Sequence, residues 1–197
     1  MKTRIQKTNK FKFYAITLVA ALTFSSCSND DDKPVNEEEL ITTVTAVFTP
    51  VGGGTNITLQ YKDLDGDGAN PPVISVSGAF AKNKTYNGAV TYKNESVNPV
   101  EDITPEIITE GVDHQVFYQK TGNLNAFTYG TATSNFDING KPVGLQSVFV
   151  TTVDAAGELT ITLRHEPTKN AANVSNGDIT NAAGSTDAAV TFAVSVL

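Results

Sequence analysis

Apolar and polar side chains alternate with period two along much of this chain, and no segment sustains a helical period. Ile57, Leu59 and Tyr61 alternate with Thr58, Gln60 and Lys62, which puts apolar side chains on one face of a strand and polar ones on the other. Leu159, Ile161 and Leu163 repeat this against Thr160 and Thr162, and Val44, Ala46 and Phe48 do so near the start against Thr43, Thr45 and Thr49. Val190, Phe192, Val194 and Val196 alternate with Thr191, Ala193 and Ser195, so the C-terminus reads as a core strand.

Turn formers separate these runs: Gly52-Gly53-Gly54, Gly122-Asn123, Asn139-Gly140, Ala156-Gly157 and Asn176-Gly177. Short strands at this spacing predict an all-β fold, an antiparallel Ig-like β-sandwich. Residues 41–197 number 157, enough for a single domain with one core.

Two hairpins are expected. Thr43–Pro50 and Asn56–Asp63 flank the glycine run, and Ser147–Val153 and Glu158–His165 flank Asp154–Gly157; together they suggest an internal duplication. Asn87-Gly88 is a hairpin signal, yet it lies inside Thr85–Tyr92, which otherwise reads as one strand. The simpler reading turns the chain at Ala81–Lys84, makes Val73–Phe80 the partner strand, and leaves Gly88 as a bulge or a close-packing site.

The amino-terminal region has a different pattern. Lys2, Arg4, Lys7, Lys10 and Lys12 precede the apolar run Phe13–Phe24, which is shorter than the ~20 residues that span a bilayer. This is the layout of a secretory signal peptide over residues 1–26, with the small residues Ser25 and Ser26 before Cys27. Cys27 is the only cysteine, so it has no internal disulfide partner. Residues 27–40 are polar and acidic, with Pro34, and read as a tether.

Cleavage before Cys27 changes the charge. The signal holds five of the fourteen Lys and Arg and none of the twenty-one Asp and Glu, leaving nine against twenty-one and a formal charge of -12. That balance argues against nucleic-acid binding, which needs a basic footprint. It favours a cation or a cationic partner.

Candidate chemistry is sparse. Asp63, Asp65 and Asp67 alternate in Asp63-Leu64-Asp65-Gly66-Asp67-Gly68, so their oxygens can converge on one hard cation, as in the first half of a calcium loop. Ile74 stands where an EF-hand has its bidentate glutamate, so calcium there needs further ligands, such as Asn70. Asn135–Gly140 is a fainter echo with one carboxylate, Asp137, and reads as a turn. His114 is in phase with Val116 and Tyr118, and His165 with Ile161 and Leu163; as a pair they are the alternative metal ligands, for zinc, copper or haem iron. No nucleophile elbow, zinc-protease helix, phosphate loop or dinucleotide fingerprint occurs, and the acid pair Glu101 and Asp102 has no defined cleft. A non-enzymatic role is expected.

Phe24-Ser25-Ser26-Cys27 resembles a bacterial lipobox, and with Ser28-Asn29-Asp30-Asp31-Asp32 behind it the region is similar to the start of Bacteroidetes-type surface lipoproteins. The resemblance implies a lipid on Cys27, an outer-membrane anchor and display at the cell surface. With the residues of the domain, the leading expectation is a non-enzymatic, Ig-like surface module that binds a ligand, a surface protein or an outer-membrane receptor, stiffened by calcium at Asp63, Asp65 and Asp67. The alternative is an accessory protein for an outer-membrane importer of a nutrient, a metal or haem.

Overall fold

The computed structural model describes residues 40–66 and 68–197, which fall within one compact unit, Glu37–Leu197. Ten strands and one short helix follow in order: β1 (Thr43–Pro50), β2 (Ile57–Lys62), β3 (Val73–Val76), β4 (Thr85–Asn94), β5 (Glu101–Asp102), α1 (Thr104–Thr109), β6 (His114–Lys120), β7 (Phe127–Tyr129), β8 (Gln146–Val150), β9 (Ala155–His165) and β10 (Ser185–Val196). The larger sheet has the order β3-β2-β1-β4-β8-β7, with β5 beside the end of β4; the smaller is β10-β9-β6. Every ladder is antiparallel. The protein is an all-β sandwich, as its alternation predicts.

The inward faces are those the sequence marks. Val44, Ala46, Phe48, Ile57 and Leu59 from the larger sheet, and Leu159, Ile161, Leu163, Val190, Phe192, Val194 and Val196 from the smaller, are buried in one core. Phe80, on the connection between β3 and β4, enters that core edge-on to Phe48, Tyr86 and Phe149, with centroids 5.3, 4.9 and 5.0 Å away. Its backbone reaches the smaller sheet, where Phe80 N–H donates to Ser195 O at 2.8 Å and Leu197 N–H donates to Phe80 O at 2.9 Å.

Three expectations need correction. Val73–Val76 pairs with β2, not with Thr85–Tyr92, because both sides of β4 are taken by β1 and β8. Thr85–Asn94 is one continuous strand, as read. The β1–β2 hairpin forms about the glycine run, but Ser147–Val153 and Glu158–His165 do not pair: β8 lies in the larger sheet and β9 in the smaller. Thr151–Asp154 is therefore a crossing between layers, and the internal duplication falls with the second hairpin. The strand order also leaves the Ig-like label unassigned, since constant-type Ig domains divide their strands four against three.

Gly88 is a close-packing site. It faces inward on β4 opposite Phe48 and Ser147, and a Cβ there would lie 2.6 Å from the Phe48 ring and 2.5 Å from Ser147 Oγ. The missing side chain is what admits the Phe48 ring. Gly88→Ala is expected to destabilise the protein by about 1–3 kcal/mol through overpacking. Urea unfolding checks this, and a variant as stable as the parent would contradict it.

Candidate functional site

Asp63 and Asp65 lie together on the loop after β2, and Asp67, like Cys27, lies outside the described residues. Tyr61 donates its hydroxyl to Asp63 Oδ2 at 3.2 Å. Asn70 donates to Asp65 Oδ2 from its side chain at 2.8 Å and from its backbone at 3.2 Å, bonds that hold the Asp65 carboxyl below its ordinary pKa. These bonds close an acidic turn. Among the described residues, no three His, Cys, Asp or Glu are grouped to hold a metal ion.

The fainter echo at Asn135–Gly140 is structural. Asn135 is fully buried and stands in for a strand: its Nδ2 donates to Gly130 O and Gln146 O, both at 2.9 Å, and its Oδ1 accepts from Gln146 N–H at 2.8 Å. Asp137 Oδ1 accepts from the amides of Asn139 and Lys141, each at 2.9 Å, while Oδ2 accepts from Lys169 at 3.0 Å. Lys169 also donates to Gly111 O and, at 3.0 Å, to Pro142 O. The ammonium thus has an oxygen for each of its three protons. Burial works to raise the Asp137 pKa, but the Lys141 amide and the Lys169 charge outweigh it and hold the carboxyl low. For Lys169 burial wins, drawing the ammonium down against the pull of Asp137.

The two histidines do come together. His114 and His165 are direct cross-strand partners on β6 and β9, stacked with centroids 5.0 Å apart and planes 19° from parallel. Their in-plane lone pairs therefore run side by side and do not converge on one point. His114 Nδ1 lies 3.2 Å from Glu110 O, and Nε2 lies 3.7 Å from Asp187 Oδ2. Asp187 sits at a register shift in β10 between Thr186 and Ala188, which interrupts the strand's alternation. The only sequence signal for it is an acid where the alternation of β10 begins to drift. Glu101 and Asp102 are exposed on β5, where Glu101 accepts from Asn94 at 3.4 Å and Asp102 from the Thr104 amide at 3.1 Å. Among the described residues, neither belongs to a group of three His, Cys, Asp or Glu side chains that could hold a metal ion.

A concavity of about 450 Å³ lies elsewhere, on the outer face of the larger sheet. Two cross-strand rows make its floor, Thr49–Asn87–Val148 and Val47–Ala89–Gln146, and Gly130, Thr131 and Ala132 make one wall. The wall is fixed because the Asn135 amide binds Gly130 to Gln146. All of its lining residues are neutral, offering amides, hydroxyls and small apolar groups. Sequence reasoning misses this groove because its residues occupy the polar phase of three strands, which reads as an ordinary solvated face.

No family model matches the chain, nor does any curated protein or solved structure.

Lys169→Ala would strand a buried carboxylate and is expected to cost about 3–5 kcal/mol at neutral pH. Because the Asp137 pKa is lowered in the fold, its contribution is complete above the unfolded value of about 3.9 and is lost as pH falls through the lower folded value. Urea unfolding of parent and variant across acidic pH checks both parts: the gap between them should close below that range. A gap that widened on acidification would contradict the assignment.

Proposed function

We propose that this chain is a lipid-anchored, surface-displayed binding module of the outer membrane, and that its ligand lies in the groove across β1, β4 and β8. The observation that carries the reading is the groove itself: preformed, walled by a loop held through a buried amide, and lined by neutral groups suited to recognition. The ligand class that matches is neutral and rich in hydroxyl or amide groups, such as an oligosaccharide. Nothing in this reading requires a reaction step.

Anchoring rests on Cys27 and the acids that follow it. Calcium at Asp63, Asp65 and Asp67 belongs to the reading as a stabiliser of the loop after β2, and EDTA is then expected to lower the melting temperature of the full chain; no shift would remove the calcium part. The alternative, an accessory protein beside an outer-membrane importer, keeps the same anchor and groove. It differs in its neighbour, which cross-linking in intact outer membranes would identify as an import receptor.

Two outcomes test the main reading. Cys27→Ala is expected to move the protein from the membrane fraction to the soluble fraction; continued membrane association would refute the anchor. Ala89→Trp, which fills the groove floor without entering the core, is expected to abolish the thermal stabilisation that neutral oligosaccharides give the parent chain. Stabilisation that survives this change would place the ligand elsewhere.

A further inference from the structure

Among the described residues, β3 is the end strand of the larger sheet and pairs on one side only, with β2. Just beyond it Ser77 N–H donates to Thr58 O at 2.9 Å, while on the other side of β2 Asp63 N–H donates to Thr42 O at 2.8 Å. Alternation along an antiparallel ladder then turns the backbone groups of Val73 and Ser75 toward β2, and those of Ile74 and Val76 toward the open side. Val73 is 67% exposed and Ile74 50%. Val73–Val76 contains no charge and no proline, which are among the devices that keep natural edge strands from pairing further.

Beside Val73 opens a second concavity of about 300 Å³, with Leu64 and Pro71 on its apolar side and Asp63 and Asp65 on its polar side. The one cation in its lining, Lys62, is engaged by Glu95. The negative charge of the two acids is therefore not balanced within the pocket. Residues 41–197 carry eight Lys and Arg against fifteen Asp and Glu, so the wider field has the same sign.

We infer that β3 takes up an extended protein segment as an added strand, and that a Lys or Arg of that segment occupies the pocket. Main-chain hydrogen bonds to Ile74 and Val76 supply the pairing, and the pocket supplies selectivity. The aliphatic stem of the cation covers Leu64 and Pro71 while its head meets Asp65 and Asp63. This surface is separate from the groove on the outer face and does not depend on a ligand there.

The probe is a short blocked peptide of alternating Thr and Val with one central Lys, labelled for fluorescence anisotropy. It is titrated against the full chain in EDTA, so that no divalent ion occupies the two acids. The Lys peptide is expected to bind. Its Glu-for-Lys counterpart, and a version with alternate amides methylated, are expected not to. Ile74→Pro removes a donor from the open side and leaves the β2 ladder intact, and is expected to weaken binding about tenfold. Asp65→Asn, on an exposed loop, is expected to weaken it about threefold, and keeps the test open should Ile74→Pro disturb folding. No binding of the Lys peptide at millimolar concentration, equal binding of the Glu peptide, or undiminished binding by both variants would overturn the inference.

Discussion

The two sheets are joined by a side chain that belongs to neither. Phe80 lies on the connection after β3, yet its ring is fully buried against Phe48 of β1, Tyr86 of β4 and Phe149 of β8. Its own amide and carbonyl are bonded to Ser195 and Leu197 at the end of β10. One residue therefore fills the larger sheet's inner face and fastens its backbone to the smaller sheet. Edge-to-face aromatic pairs add about 0.5–1.5 kcal/mol each beyond the area they bury, and Phe80 makes three of them around one ring. Gly88 belongs to the same arrangement, since the Phe48 ring that meets Phe80 occupies the space a β4 side chain would otherwise fill.

Polar knots complete what the aromatic core begins. Asn135 holds the β7–β8 connection in place of a strand, and Lys169 ties the long excursion between β9 and β10 to Gly111, Asp137 and Pro142. That excursion covers Phe117 on the outer side of β6, where Val174 and Ala182 form a second small core. The smaller sheet is thus buried on part of both faces. The larger sheet keeps its outer face open, and the groove and the unpaired edge of β3 both lie on that sheet.

Much of this architecture is legible in the sequence because period-two alternation directly reports which face is buried. The inward residues of β1, β2, β9 and β10 can be read off in order, and Gly88 as a packing site follows from its place within a continuous strand. Pairing partners are harder, since hydrogen bonds between strands leave no trace in the alternation of either one. Ser147–Val153 and Glu158–His165 look like a hairpin, but the turn between them carries the chain from one layer to the other. Phe80 lies outside any strand, so no periodicity announces its role. The same limit applies to sites: the sequence offers His114 and His165 as a pair of ligands, but only the register shows them as stacked cross-strand neighbours, and Asn87, Ala89 and Gln146 form a floor only once β1, β4 and β8 are side by side. Cys27 and the acids after it, on which the proposed anchor rests, lie outside the described residues.

The scaffold that carries the proposed groove depends on Phe80. Equilibrium urea unfolding of Phe80→Ala tests that dependence most directly. Loss of a buried ring that also joins the layers predicts a cost of about 3–5 kcal/mol, with the unfolding transition still cooperative. A cost under about 1 kcal/mol would mean that the sheets hold together without it, and would contradict the account.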